Sequence, residues 1–186
     1  MNITFKPLVE SDFPLMLKWL TSSHVQSWWD KDIIWTTDLI KQKYSSYVKG
    51  YKLQDGQHKE ILAYVITVDA VPIGYIQIYN AYDFPRSSKL VDLPKNLATF
   101  DIFIGEIDYL SKSIGSSAIE LFLKNYCDGK YSHIFVYPDK DNIAAINSYL
   151  KAGFEIIKTN DVKNEIWMLK RIQGTDKFID DYFGDT

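Results

Sequence analysis

Residues 138–154 read Pro138-Asp139-Lys140-Asp141-Asn142-Ile143-Ala144-Ala145-Ile146-Asn147-Ser148-Tyr149-Leu150-Lys151-Ala152-Gly153-Phe154, and this run constrains the architecture more than any other part of the chain. A strand at 134–136 meets a proline turn, Asn142 opens a short helix, and Gly153-Phe154 closes it and starts another strand. Asn142 then stands at the helix mouth with Tyr149 about two turns on, roughly on the same face. One polar group can hold a ligand's amide there while a phenol donates a proton nearby. The same residues also suit a surface helix on which Asn142 is a plain cap. The run by itself leaves both readings open.

The remaining pattern places this unit at the end of a longer series. Residues 3–8 alternate as an opening strand, and Ser11-Asp12 is the expected cap of a helix through Leu20, with Pro14 tolerated in its first turn. Residues 38–48 form a second helical stretch, separated from the first by the irregular aromatic segment His24-Val25-Gln26-Ser27-Trp28-Trp29-Asp30. Residues 60–68 and 72–80 read as a hairpin turning at Asp69-Ala70. A polar loop at 81–96 leads to a strand at 98–105. An amphipathic helix follows at 113–127, with Ile114, Ala118, Leu121, Phe122 and Tyr126 at helical spacing. Residues 132–136, 142–151, 154–159 and 165–170 complete a β-α-β-β ending. The order β-α-α-β-β-β-α-β-α-β-β predicts an α+β, or mixed α/β, domain: a mostly antiparallel twisted sheet flanked by helices. With no repeat and no dividing linker, residues 1–172 read as a single domain and 173–186 as an acidic tail with a possible short helix.

Composition narrows the function. Net charge is −3 over 186 residues, so no basic field invites nucleic acid, and the mild acidity is compatible with a cationic small substrate. The single cysteine, Cys127, excludes an internal disulfide framework, gives no metal spacing, and suits a reducing, cytoplasmic compartment. Residues 1–6 lack the apolar stretch of a signal peptide. No apolar run approaches the ~18 residues of a membrane span. The 13 Tyr and 5 Trp suggest aromatic pocket walls beside ordinary core packing.

The element order together with the run 138–154 resembles the GNAT superfamily of acetyl-coenzyme A dependent N-acetyltransferases, over nearly the whole chain. Within it the likeness is greatest to the aminoglycoside 6'-N-acetyltransferases. Leu17-Lys18-Trp19-Leu20, Ser23-His24 and Trp28-Trp29 look like that group's N-terminal helix and aromatic loop. Pro72-Ile73-Gly74-Tyr75-Ile76-Gln77 looks like its central strand, and Asp101 lies in the strand before the coenzyme loop. Asn142, Ala145-Ile146, Tyr149 and Lys151-Ala152-Gly153-Phe154 match its C-terminal signature. The subgroup shades into acyltransferases of siderophore biosynthesis.

The resemblance implies GNAT architecture, acetyl-CoA as cofactor, and a small-molecule amine as partner, with the protein a monomer or homodimer. It assigns the coenzyme's pantetheine arm to the backbone of Ile102, Phe103 and Ile104 with Asn142 and Ala145, beside Tyr149. It assigns the diphosphate to Leu110, Ser111, Lys112, Ser113, Ile114, Gly115 and Ser116. That loop departs from the family pattern of Arg or Gln, two residues, Gly, one residue, then Gly or Ala: only Gly115 survives. Its task is to expose consecutive backbone N–H groups at a helix N-terminus, and close approach is easier with glycine. A serine-capped helix without a ligand is the plain alternative.

Acetyl transfer requires a neutral amine, a donor for the developing oxyanion, and a proton for the leaving thiolate. Neutralising an alkylamine of pKa about 10.4 at pH 7 costs around 4–5 kcal/mol, which a carboxylate can offset by taking the proton. Asp101 is the candidate base, on a strand whose neighbours Phe100 and Ile102 point to the opposite face. Its alternatives are binding the cationic substrate or merely facing solvent. Glu106 and Asp108 are close enough in sequence to share the work. Tyr149 is the candidate acid, or else a packed core tyrosine. For acceptor capture the resemblance implies Trp29, Tyr44, Gln77 and Asp83 with Asp101, Asp92 competing with Asp83. Of Trp28 and Trp29 one is expected buried and one lining the site, and His24 is expected to be structural. The family's aspartate before the signature proline is here Tyr137, which leaves one carboxylate fewer for a polycation.

The leading expectation is therefore acetyl transfer to the 6'-amine of an aminoglycoside. Acyl transfer to a hydroxylysine-type amine of siderophore assembly, and a noncatalytic acyl-CoA-binding module, are the competing ones.

Overall fold

The structure is a computed structural model that describes residues 1–86 and 88–172. The chain runs β1 (Ile3–Pro7), a 3-10 turn (Glu10–Asp12), α1 (Phe13–Leu20), α2 (Ser23–Gln26), α3 (Thr37–Val48), β2 (Tyr51–Gln54), β3 (Gln57–Val68), β4 (Val71–Asn80) and β5 (Leu97–Ile104). A second 3-10 turn (Ile107–Tyr109) leads to α4 (Ile114–Tyr126), β6 (His133–Val136), α5 (Ile143–Lys151), β7 (Glu155–Asn160) and β8 (Glu165–Arg171). The sheet order is β1-β3-β4-β5-β6-β8-β7, with β2 paired to β3. The mixed α/β class is as expected, and the acidic tail lies outside the described residues.

Every strand pair is antiparallel except β5 with β6, which α4 joins as a crossover; a parallel pair needs such a connection. That parallel pairing is short. It matches Leu97, Ala98 and Thr99 with His133, Ile134 and Phe135 and then stops. On its other edge β5 stays paired to β4 through Ile104. Beyond Thr99 the sheet is therefore open on the β6 side, and the backbone edge of 100–104 faces a gap.

Strand alternation sorts the side chains about this gap. Tyr75 pairs with Phe103, Gln77 with Asp101 and Tyr79 with Thr99 on one face, while Ile76 with Ile102 and Ile78 with Phe100 occupy the other. The second face packs on α4 through Ile114, Ala118 and Phe122. In that helix Ile119 and Leu123 are buried and Leu121 only half-buried, so the buried stripe is rotated slightly from the expected one. The first face packs on α1 and α3 through Trp19, Ile40, Tyr44 and Tyr47. Burying one such large apolar side chain stabilises by roughly 1.5–3 kcal/mol. Gly74 and Gly105 are forced by close approach: a Cβ on Gly74 would lie 2.3 Å from the Phe103 carbonyl oxygen, and one on Gly105 2.2 Å from the Trp19 ring.

Three local expectations need correction. Asp12 takes the N-cap position of α1 as expected but makes no side-chain cap bond; its carboxylate accepts the Val9 N–H at 3.0 Å and the Lys6 ammonium at 2.7 Å, bracing the preceding turn. The aromatic segment contains the short helix α2. Strand β2 was not expected, although Asp55-Gly56, both at positive φ (49° and 75°), is a strong hairpin turn.

Candidate active site

The gap beside β5 opens into a cleft of about 650 Å³, walled by the free half of β5, the loop into α4, the face of α5 and the aromatic segment after α2. Asp101 stands on its β5 wall. The Gln77 amide donates to Asp101 Oδ2 at 2.8 Å and the Tyr79 hydroxyl donates to the same oxygen at 3.0 Å. Gln77 is oriented in turn by the buried Tyr75 hydroxyl, which donates to its Oε1 at 2.8 Å. Gln77 and Tyr79 reach the carboxylate, and Tyr75 reaches the Gln77 amide, because all three alternate along one face of β4.

Tyr149 enters from α5. Its ring packs edge-on against Phe100 at 5.8 Å and against Phe154 at 5.6 Å, and it lines the cleft while only 8% exposed. Burial, with the Asp101 charge and Tyr137 nearby, pushes its phenol well above the ordinary value. The group therefore stays protonated and serves as a hydrogen-bond donor. Asn142 accepts the Ala145 N–H at 3.1 Å through Oδ1 and lines the same cleft, so it is a cap and a cleft residue together.

In the loop into α4, Ser111 and Ser113 adopt φ of 59° and 58°, the left-handed conformation that glycine supplies without steric cost. No side chain caps α4, and its first residues Ile114, Gly115 and Ser116 line the cleft; the first N–H groups of a helix have no partner within it and suit an anion. A Cβ on Gly115 would meet only the Ser148 Oγ, at 3.7 Å, so the space over that glycine is open. Leu110, Ser111, Ser113, Ile114, Gly115 and Ser116 line the cleft; the exposed Lys112 does not, and lies 6.0 Å from the Tyr109 ring. The open side of β5, where the Ile104 carbonyl already meets His24, and this helix terminus fit a long arm bearing amides and a diphosphate.

Both tryptophans line the cleft, which corrects the expectation that one would be buried. Trp28 is 44% exposed. Trp29 is half-buried and packs edge-on against Phe103 at 5.0 Å and Tyr75 at 5.9 Å. His24 lines the cleft and contacts the Ile104 carbonyl through Nε2 at 3.1 Å, which ties the aromatic segment to the end of β5.

Three expected acceptor residues do not line the cleft: Gln77, buried and bonded to Asp101, and two that stand elsewhere. Tyr44 is fully buried in the α1–α3 core, outside the cleft lining, with its hydroxyl unpartnered. Asp83 lies 3.5 Å from Lys59 and does not line the cleft either. Glu106 is engaged below the cleft, accepting Lys18 at 2.6 Å and the Trp19 indole N–H at 2.8 Å. Conversely, Tyr79, Thr99, Lys31 and Asp139 were not singled out by the sequence. Tyr79 was legible from its alternation with Gln77. Thr99 lines the cleft where the strands part, and its buried hydroxyl has no partner. Among the described residues no cluster could hold a metal ion and no helix is long and apolar enough to cross a membrane.

Several known proteins are similar to this chain. The chain is 23% identical over 155 residues to aminoglycoside N(6')-acetyltransferase type 1 of Klebsiella pneumoniae, covering 83% of this chain and 74% of that protein. The crystal structure of aminoglycoside acetyltransferase AAC(6')-Ib with coenzyme A and kanamycin superimposes with a TM-score of 0.76 at 21% identity, over 95% of this chain and 99% of that one. An aminoglycoside N(6')-acetyltransferase of Legionella pneumophila gives 0.65 at 22% identity, over 95% and 97%. The model of the acetyltransferase (GNAT) domain matches residues 9–162, a stretch that includes Asp101, the α4 loop and Tyr149, and the chain belongs to that family.

Proposed function

We propose that this protein transfers the acetyl group of acetyl-CoA to a primary amine of a small cationic acceptor, the 6'-amine of an aminoglycoside being the leading one. The observation that carries the reading is the pairing of a fixed carboxylate and a protonated phenol across one cleft. Asp101 Oδ2 is held by Gln77 and Tyr79, and Tyr149 lines the same cleft. The curated relative's activity toward aminoglycosides supports the choice of acceptor.

Acetyl-CoA supplies an activated acyl thioester when bound. The α4 amides of Ile114, Gly115 and Ser116 would hold its diphosphate, and the β5 backbone at Ile102, Phe103 and Ile104 with Asn142 and Ala145 would take its amide-bearing arm, the Ile104 carbonyl being shared with His24. Asp101 takes a proton from the acceptor ammonium, directly or through water, and leaves a nitrogen lone pair free to form the new C–N bond. Tyr149 donates a hydrogen bond to the sulfur as the C–S bond breaks. A thiol near pKa 8.5 leaves as thiolate far more readily than the buried phenol gives up its proton, so full protonation of the sulfur is completed from solvent.

The test follows coenzyme A thiol release with kanamycin, simple alkylamines and N-hydroxylysine as acceptors. Turnover of kanamycin is expected. Turnover of N-hydroxylysine alone reverses the acceptor assignment in favour of siderophore-type acylation, and calorimetric binding of acetyl-CoA with no turnover of any amine indicates a noncatalytic module.

A further inference from the structure

Across the cleft from Asp101's strand, a single ammonium group sits between a carboxylate and an indole face. The Lys31 Nζ donates to Asp139 Oδ2 at 3.1 Å and lies 5.0 Å from the centre of the Trp28 ring. All three residues line the cleft. A carboxylate beside an aromatic face is the chemistry that recognises an alkylammonium.

Asp139 is built to hold this position. Its Oδ1 accepts the Asn164 amide at 2.6 Å and the Asp141 N–H at 3.3 Å. The segment is pinned to the β7–β8 hairpin by the Lys140 N–H donating to the Asn164 carbonyl at 2.9 Å and the Ile166 N–H donating to the Pro138 carbonyl at 3.0 Å. Only Oδ2 turns toward the lysine. Lys31, by contrast, is held loosely: its side chain is 51% exposed, and an exposed pair of this kind is weak and screened by salt. A rigid anion faces a loosely held internal cation.

We propose that Asp139 Oδ2 and the Trp28 ring form a second ammonium site for the acceptor, which Lys31 occupies in the free protein and yields when a polyamine binds. The inference rests on the acetyl-transfer reading above. One acceptor amine is spent at Asp101, and a further ammonium of the same molecule needs a counter-charge within the cleft. Tyr137 offers none: its ring stacks on Phe135 at 5.6 Å with the Arg86 guanidinium 4.8 Å away. Asp139, two residues on, supplies the charge that the tyrosine lacks, and Lys31 sets the threshold for displacing it.

The test is calorimetric binding of kanamycin to protein saturated with coenzyme A, together with acceptor KM values, for the wild type, Lys31→Met, Asp139→Asn and the double variant. Removing the competing ammonium is expected to tighten kanamycin by about threefold, and removing the carboxylate to weaken it by about three- to tenfold. The double variant should behave as Asp139→Asn alone, and the KM of butylamine, whose only amine is spent at Asp101, should not move. A Lys31→Met variant that binds kanamycin no better, or a gain that persists without Asp139, overturns the proposal. If kanamycin is neither bound nor acetylated while 1,5-diaminopentane is, the aminoglycoside assignment fails, and the same four proteins judge the ammonium site on the diamine. If no amine binds, both readings fail.

Discussion

Gln77 and Asp101 face each other directly in the β4–β5 register, and the amide of one donates to the carboxylate of the other at 2.8 Å. The bond fixes more than a rotamer. Tyr75 orients the amide from behind, and Tyr79 approaches the same carboxylate oxygen at 3.0 Å, so Oδ1 is the atom left to meet an incoming amine. A base held this way loses little entropy on reaching its working geometry.

Asp101→Asn should lower kcat by about 10²–10⁴-fold, the range for removing a general base. The informative comparison is between acceptors. A base that takes the ammonium proton is missed through kcat by cationic amines, and far less by weakly basic ones already neutral at the assay pH. If cationic amines suffer through KM instead, Asp101 binds charge and moves no proton.

Ser113 holds φ of 58° where a glycine would hold it freely. A left-handed serine costs roughly 1–2 kcal/mol, part of which glycine returns through its more disordered unfolded chain. Ser113→Gly should therefore raise unfolding stability by at most about 1 kcal/mol and bind acetyl-CoA at least as tightly. Ser113→Val, whose branched side chain opposes this conformation, should lose both. Urea unfolding and coenzyme titration read the two effects separately.

Much of this was legible beforehand, for definite reasons. Alternation in 72–80 and 98–105 fixed which residues share a face, so Gln77 and Asp101 could be paired by function before their register was known. The helix opened by Asn142 sets Tyr149 about two turns on, roughly on the same face, and both line the cleft. What escaped depended on partners distant in sequence. Asp83 is drawn to Lys59 on β3, and the hairpin built at Asp55-Gly56 was overlooked. Tyr44 belongs to a helix too polar for its buried face to declare itself, so an aromatic core residue looked like a pocket wall. The backbone of Ser111 and Ser113 was hidden because serine has no preference for the left-handed region. Lys31 and Asp139 are 108 residues apart in the chain, and no local pattern links them.

Trp19 is completely buried, and its indole N–H has Glu106 as its acceptor at 2.8 Å. Glu106→Ala should cost about 1–3 kcal/mol, the penalty for orphaning a buried donor, whereas Glu106→Gln keeps an acceptor oxygen and should cost less. The hydrogen bonds from Lys18 and Trp19 hold this carboxyl below its ordinary value. Its contribution is thus full above the unfolded pKa, near 4.3, and fades as pH falls through the lower folded value. Thermal melts of the three proteins at pH 7 and pH 4 check both statements.

Alkali should act in the opposite direction. Tyr44, Tyr75, Tyr79 and Tyr149 are all raised, chiefly by burial. The unfolded chain therefore releases these protons first, near pH 10, and stability present below that value should fall steadily above it. Melting temperature against pH, followed with tyrosinate absorbance, should show ionisation of these groups arriving together with unfolding.

Tyr149→Phe separates chemistry from packing at the centre of the cleft. The ring contacts with Phe100 and Phe154 survive the change, so stability and acetyl-CoA affinity should stay within about twofold, as expected for a substitution that conserves volume. Turnover should fall by about 10- to 100-fold, because the lost hydrogen bond matters only once charge gathers on the sulfur. The pH profile sharpens the test. Since burial, Asp101 and Tyr137 hold the phenol protonated beyond the ordinary phenol range, wild-type kcat should show no alkaline loss from this group below pH about 10. The variant should run parallel to the wild type and simply lower. A turnover number unaffected by the missing hydroxyl would leave Tyr149 with a packing role alone, and the thiolate would then have to depart with solvent as its only donor.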